Sequence, residues 1–123
     1  GFSLDHRKVK RAGLDYWHRV TLRVWEDYEA FEKEMAPRPE EAAVFAKGAG
    51  RSFREMVLPE RGFLIFGSET CGLPDPVLDR YPEGRYHIPI AGDIRCLNLS
   101  TAVGIAVYES LRGWDHPVHA WSA

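Results

Sequence analysis

Residues 63–74, FLIFGSETCGLP, constrain the fold of this chain more than any other stretch. The apolar run 63–66 is short and stops abruptly at Gly67, so it reads as a buried strand of a parallel sheet. A loop follows that holds two glycines, the carboxylate of Glu69 and a proline. Gly67 and Gly72 permit positive φ and let a ligand approach the main chain closely. Pro74 is placed to open a helix, where its missing N–H is not needed. In open α/β sheets ligands bind just beyond the carboxyl ends of such strands, which makes this loop a candidate binding wall.

Residues 86–109, YHIPIAGDIRCLNLSTAVGIAVYE, repeat the plan: strand over 86–90, irregular loop over 91–97, helix from Asn98. Two such units in tandem read as two walls of one small-molecule site. The rest of the chain also alternates strand and helix, which predicts an α/β fold, a parallel sheet with crossover connections flanked by helices. A strand is predicted over 17–25, where Val20, Leu22 and Val24 alternate with Arg19, Thr21 and Arg23. An amphipathic helix over 26–35 is capped by Asp27 and carries Tyr28, Phe31 and Met35 on one face. Then come a Pro-rich turn (36–40), a strand (42–46), a Gly-rich loop (48–51) and a helical turn (52–56). The run 63–67 is expected as the central strand, followed by a short helix over 74–81 and a last helix over 98–111. Residues 3–14 read as a short helix or turn-rich segment, and the tail 114–123 is uninformative.

The last helix is apolar on more than one side. Leu99, Ala102, Val103, Ala106 and Val107 form one stripe, and Ile105 and Tyr108 lie off it. In a domain this small the second side is most simply covered by another copy, so a two-fold homodimer is expected.

The 123 residues make one domain. No apolar run approaches the roughly 20 residues of a membrane span. Two cysteines, Cys71 and Cys96, are too few for a secreted disulfide scaffold, which favours a reduced, cytoplasmic protein. Both lie in the two proposed ligand loops. The five histidines make no zinc spacing with them, so no metal is expected. Ser100 has no histidine or acid at a readable spacing, which argues against a hydrolase triad. The net charge of −2 argues against a general nucleic-acid binder. Its distribution does not: residues 1–25 carry +4 and the remainder −6, a basic face on an acidic body that suits a docked phosphate backbone. The bland alternative is a solvated charged segment.

The G-x-E-x-x-G-L set (Gly67, Glu69, Gly72, Leu73), the following I-P-I, and R-x-x-N-L-S (Arg95, Asn98, Leu99, Ser100) ahead of an apolar helix resemble motifs two and three of the SPOUT RNA 2′-O-methyltransferases. The segment KRAGLDY (10–16) narrows the likeness to the small tRNA (cytidine/uridine-34 2′-O)-methyltransferases, and the match runs from residue 1 to about 114. The resemblance implies methyl transfer from S-adenosylmethionine to the ribose of the tRNA wobble nucleotide. It also implies a deep C-terminal trefoil knot formed by the last helix and the loop before it. It implies cofactor contacts at Val44, Gly67, Ile88, Cys96 and Leu97, a catalytic set of Glu69, Asn98 and Arg95, and RNA contacts at Arg7, Lys8, Arg11 and Arg95.

Each residue also has a plainer reading. Val44 fits an ordinary core strand, Arg95 a solvated surface, and Asn98 a helix cap. Glu69 fits a loop carboxylate that accepts from nearby main-chain N–H groups. Cys96 stands where the family commonly has serine, and a thiol is the weaker hydrogen-bond partner. The family's first strand and first motif, whose arginine is assigned to activating the 2′-hydroxyl, have no match here. These 123 residues alone are therefore expected to methylate weakly or not at all. The alternative functions are 2′-O-methylation at another tRNA or rRNA site and a non-catalytic RNA-binding module of the same fold.

Overall fold

The structure is a computed structural model and describes residues 21–93 and 97–113. It falls into two units that meet between Glu34 and Met35.

Helix α1 (Tyr28–Met35), whose last residue opens the second unit, begins as expected, with Asp27 Oδ1 accepting from the Ala30 N–H at 2.8 Å. Glu34 accepts from both Arg23 and the Trp25 indole, which hold its carboxyl below the ordinary value, the Trp25 bond most of all. Trp25 meets Phe31 edge-on at 5.1 Å, and Arg23 lies over the Trp25 ring. The strand expected over 17–25 does not appear in its described part: residues 21–25 join no ladder, and Leu22 and Val24 are 51% and 75% exposed. Alternation alone does not make a strand; it also needs main-chain partners and an apolar face to cover. Residues 17–20 and the 3–14 segment lie outside the described residues.

The second unit is a sheet with helices. Its strands are β1 (Ala42–Phe45), β2 (Arg51–Ser52), β3 (Phe63–Ile65) and β4 (Arg85–His87), in the order β2-β4-β1-β3. Every pairing is parallel: Val44 faces Ile65 on one side and Arg85 on the other, and Arg51 faces Tyr86. Helix α2 (Asp75–Asp79) starts after Pro74, and α3 (Leu99–Ser110) follows the last loop. The 63–67 run is an edge strand among the described residues, not the central one. Apolar content reports burial and not strand order. The centre is taken by the small side chains of β1, where Ala43 and Val44 have no exposure, while β3 is half-buried throughout.

The core gathers Ala43, Phe53, Met56 and Tyr86, with Phe45, Leu58, Leu64 and Ile88 packed against it. Phe53 opens a short 3-10 turn, Phe53–Glu55, capped at Ser52, and Met56 directly follows it. At the entrance to β1, Glu41 is only 1% exposed. It accepts from the Arg38 N–H at 2.8 Å and from Arg61 Nη1 at 3.0 Å, and these bonds hold its carboxyl below the ordinary value, the Arg38 main chain foremost. Arg61 also donates to the Met35 carbonyl and lies over the Phe63 ring at 5.0 Å. One buried carboxylate thus ties the start of β1 to the segment that enters β3.

Candidate active site

Because β1, β3 and β4 run parallel, the loops that follow them (46–50, 66–74 and 88–98) all leave the same end of the sheet. The loop after β3 closes on itself. Ser68 accepts through its carbonyl from the Gly72 N–H and through Oγ from the Cys71 N–H, each at 3.0 Å. Gly72 has φ +66°, a left-handed conformation that glycine adopts without penalty. Gly67 is required for a different reason: a Cβ there would lie 2.1 Å from the Gly72 carbonyl carbon and 2.3 Å from the Leu73 nitrogen. The space that sequence reasoning reserved for a ligand beside Gly67 is filled by the loop's own main chain. Any role of Gly67 toward a ligand passes through the loop that it closes.

That closed turn holds Glu69 at its tip. Glu69 Oε1 accepts from the Leu99 N–H at 3.3 Å, across thirty positions of sequence. Asn98 caps the same helix, its Oδ1 accepting from the N–H groups of Ser100 at 2.9 Å and Thr101 at 3.4 Å, and from the Ser100 hydroxyl. The first residues of α3 therefore have their unpaired N–H groups satisfied from two sides, one bond coming from the other loop. The two stretches singled out in the sequence are joined.

Ile88 and Leu97 are half-buried, Ile88 against the core cluster. Val44 is fully buried in β1, and its N–H donates to the Gly84 carbonyl at 2.7 Å, so its side chain is core. Arg95 and Cys96, together with Arg7, Lys8 and Arg11, lie outside the described residues. Cys71 is exposed.

Three contacts at this end escaped the sequence reading. The Phe45 and Phe66 rings stack at 4.6 Å with an 8° tilt. His87 Nδ1 donates to the Ala49 carbonyl at 2.6 Å, fastening the 46–50 loop to the end of β4. Ser68 makes the two bonds that close the Glu69 turn. Only the aromatic pair had a readable signal, since Phe45 and Phe66 each close an apolar strand run. No cluster of His, Cys, Asp and Glu among the described residues could hold a metal ion. An open groove of about 660 Å³ lies away from these loops, between α3 and the 53–55 turn, with Arg54, Ile105 and Tyr108 on its walls.

Known proteins resemble this chain over most of its length. A tRNA (cytidine(34)-2′-O)-methyltransferase from Burkholderia ambifaria is 43% identical over 114 residues, 91% of this chain and 72% of that protein. A Lactobacillus gasseri protein described as an RNA (cytidine(34)-2′-O)-methyltransferase is 35% identical over 120 residues, 95% of this chain; the chain spans 64% of that relative's length. A solved structure concerned with 2-OH methylation of C/U34 on tRNA superposes with a TM-score of 0.73 at 43% identity, over 91% of this chain and 72% of that one. An AdoMet-bound rRNA methyltransferase from Sinorhizobium meliloti superposes with a TM-score of 0.55 at 25% identity, over 60% of this chain and 28% of that one. The profile of the SpoU rRNA Methylase family matches residues 1–108, and the chain belongs to that family.

Proposed function

We propose that this chain transfers a methyl group from S-adenosylmethionine to the ribose 2′-hydroxyl of the tRNA wobble nucleotide, position 34. The observation that carries this reading is the Glu69–Leu99 hydrogen bond, which turns two separate loops into one site. The names of the relatives support the substrate.

The residues present fit the donor. Beside Gly72 there is open space, with no atom within 4 Å of where a Cβ would stand, so main chain faces outward there. Half-buried Ile88 and Leu97 would supply apolar surface for a purine, and the cofactor contacts of this reading also include Val44, Gly67 and Cys96. The donor supplies an electrophilic methyl on a sulfonium. The chain's part is to hold the two reactants in line and to exclude water. Asn98, which caps α3, would also orient the ribose. Arg95 would hold a phosphate of the tRNA, and Arg7, Lys8 and Arg11 would extend that contact along its backbone.

The chain works in this reading as a cytoplasmic homodimer, a single SPOUT domain over 1–123 with its last helix knotted. The support for pairing is α3, where Ile105 is 38% and Tyr108 83% exposed beside apolar neighbours. No helix among the described residues is long and apolar enough to cross a membrane.

The test is calorimetric titration with S-adenosylhomocysteine, then methylation of tRNA read by mass spectrometry of the nucleotide at 34. The expected outcomes are one bound product per chain and, at the low rate expected of these 123 residues alone, a 2′-O-methyl at 34. A methyl at another position, or binding of tRNA with no binding of S-adenosylhomocysteine, would replace this reading with one of its alternatives.

A further inference from the structure

We infer that Glu69 is a positioning residue and not the proton acceptor of the reaction: its carboxylate locks the Gly67–Gly72 turn onto the first N–H of α3 and so sets the spacing between the two walls of the site. This rests on the donor-site reading above and assigns one of its residues.

Three observations converge on it. Glu69 Oε1 is engaged by the Leu99 N–H at 3.3 Å. The turn that carries Glu69 is closed by Ser68, which accepts from the N–H groups of Cys71 and Gly72, and by the Gly72–Leu73 main chain packed against Gly67. Asn98 Oδ1 takes the next two N–H groups of the helix and leaves that of Leu99 to Glu69. A carboxylate at a helix N-terminus is held there by both the hydrogen bond and the helix dipole. A proton acceptor needs a lone pair aimed at the hydroxyl. A lock needs only an acceptor oxygen at the right reach.

Glutamine separates the two roles, because it keeps the acceptor oxygen and cannot take the proton. Wild type, Glu69→Gln and Glu69→Ala would be compared by amide hydrogen exchange at Leu99, by titration with S-adenosylhomocysteine, and by methylation kinetics on tRNA. In Glu69→Ala, Leu99 exchange is expected to rise and S-adenosylhomocysteine binding to weaken, each about five- to tenfold, with the larger kinetic change in KM for the donor. Glu69→Gln is expected to recover most of both losses. The inference is overturned if Glu69→Gln binds S-adenosylhomocysteine like wild type yet is as inactive as Glu69→Ala, or if Leu99 exchange is the same in all three proteins. If wild type binds no S-adenosylhomocysteine while Leu99 exchange still follows the acceptor at position 69, the donor-site reading falls and the lock between the loops stands.

Discussion

Replacing Gly67 with alanine puts a methyl group where the Gly72–Leu73 main chain already lies. The turn must open to accept it, and overpacking of this kind costs about 1–3 kcal/mol. The Gly67→Ala chain is expected to keep its sheet, visible as an unchanged far-ultraviolet circular dichroism spectrum, and to lose S-adenosylhomocysteine binding in calorimetry. At the other end of the sheet, Glu41 makes stability depend on acid. Its folded-state pKa is depressed, so its contribution is complete above the ordinary glutamate value of 4.5 and is lost as the pH falls through the folded value. Glu41→Gln should therefore unfold at a lower temperature than wild type at pH 7, with the gap closing below pH 4.5; a gap that persists at pH 3 would contradict the assignment. Glu69 and Asn98 were visible in the sequence as loop carboxylate and helix cap, and both readings survive in the geometry. What could not be read was which N–H Glu69 meets, since Leu99 is set by a fold that brings positions 69 and 99 together. Gly67 was flagged as unusual, and only coordinates reveal that its neighbour is the loop itself.

Among the elements, α3 depends on its start. Asn98→Ala removes the acceptor for two main-chain N–H groups and should cost about 1 kcal/mol, measured by thermal or urea unfolding. Asn98→Asp is an equally good cap and should restore stability. If it restores stability but not methylation, the amide also serves the ribose, and full recovery of both would confine Asn98 to capping. The sequence periodicity located α1, β1, α2, β4 and α3 because each has a capping residue, a proline or a compact apolar run that works locally. It misjudged 21–25 and the rank of 63–65 for one shared reason. Whether an extended segment is paired, and whether it is paired on one side or two, depends on other segments far away in the chain. The edge position of Phe63–Ile65 is a property of the sheet and not of those residues.

For the whole molecule, pairing is the property that one chain leaves open. If the chain pairs through α3 as proposed, Tyr108→Arg on its exposed side should leave a monomer in sedimentation velocity without lowering helix content; a wild type that is itself monomeric would end the proposal, and an unchanged dimer would move the interface elsewhere. The strand order has a further consequence. β1 and β2 are consecutive in the chain yet never pair with each other; β4 lies between them. Among the described strands no hairpin is available as a local nucleus, and Arg51–Ser52 have no ladder partner there until Arg85–His87 has been synthesised and inserted. Folding must therefore wait for contacts of long sequence separation, a high-contact-order route that is slow for chains of this size. The Glu69–Leu99 bond comes later still, because Leu99 emerges after β4. On a ribosome, the two walls of the methyl-donor site would be the last part of the described fold to close.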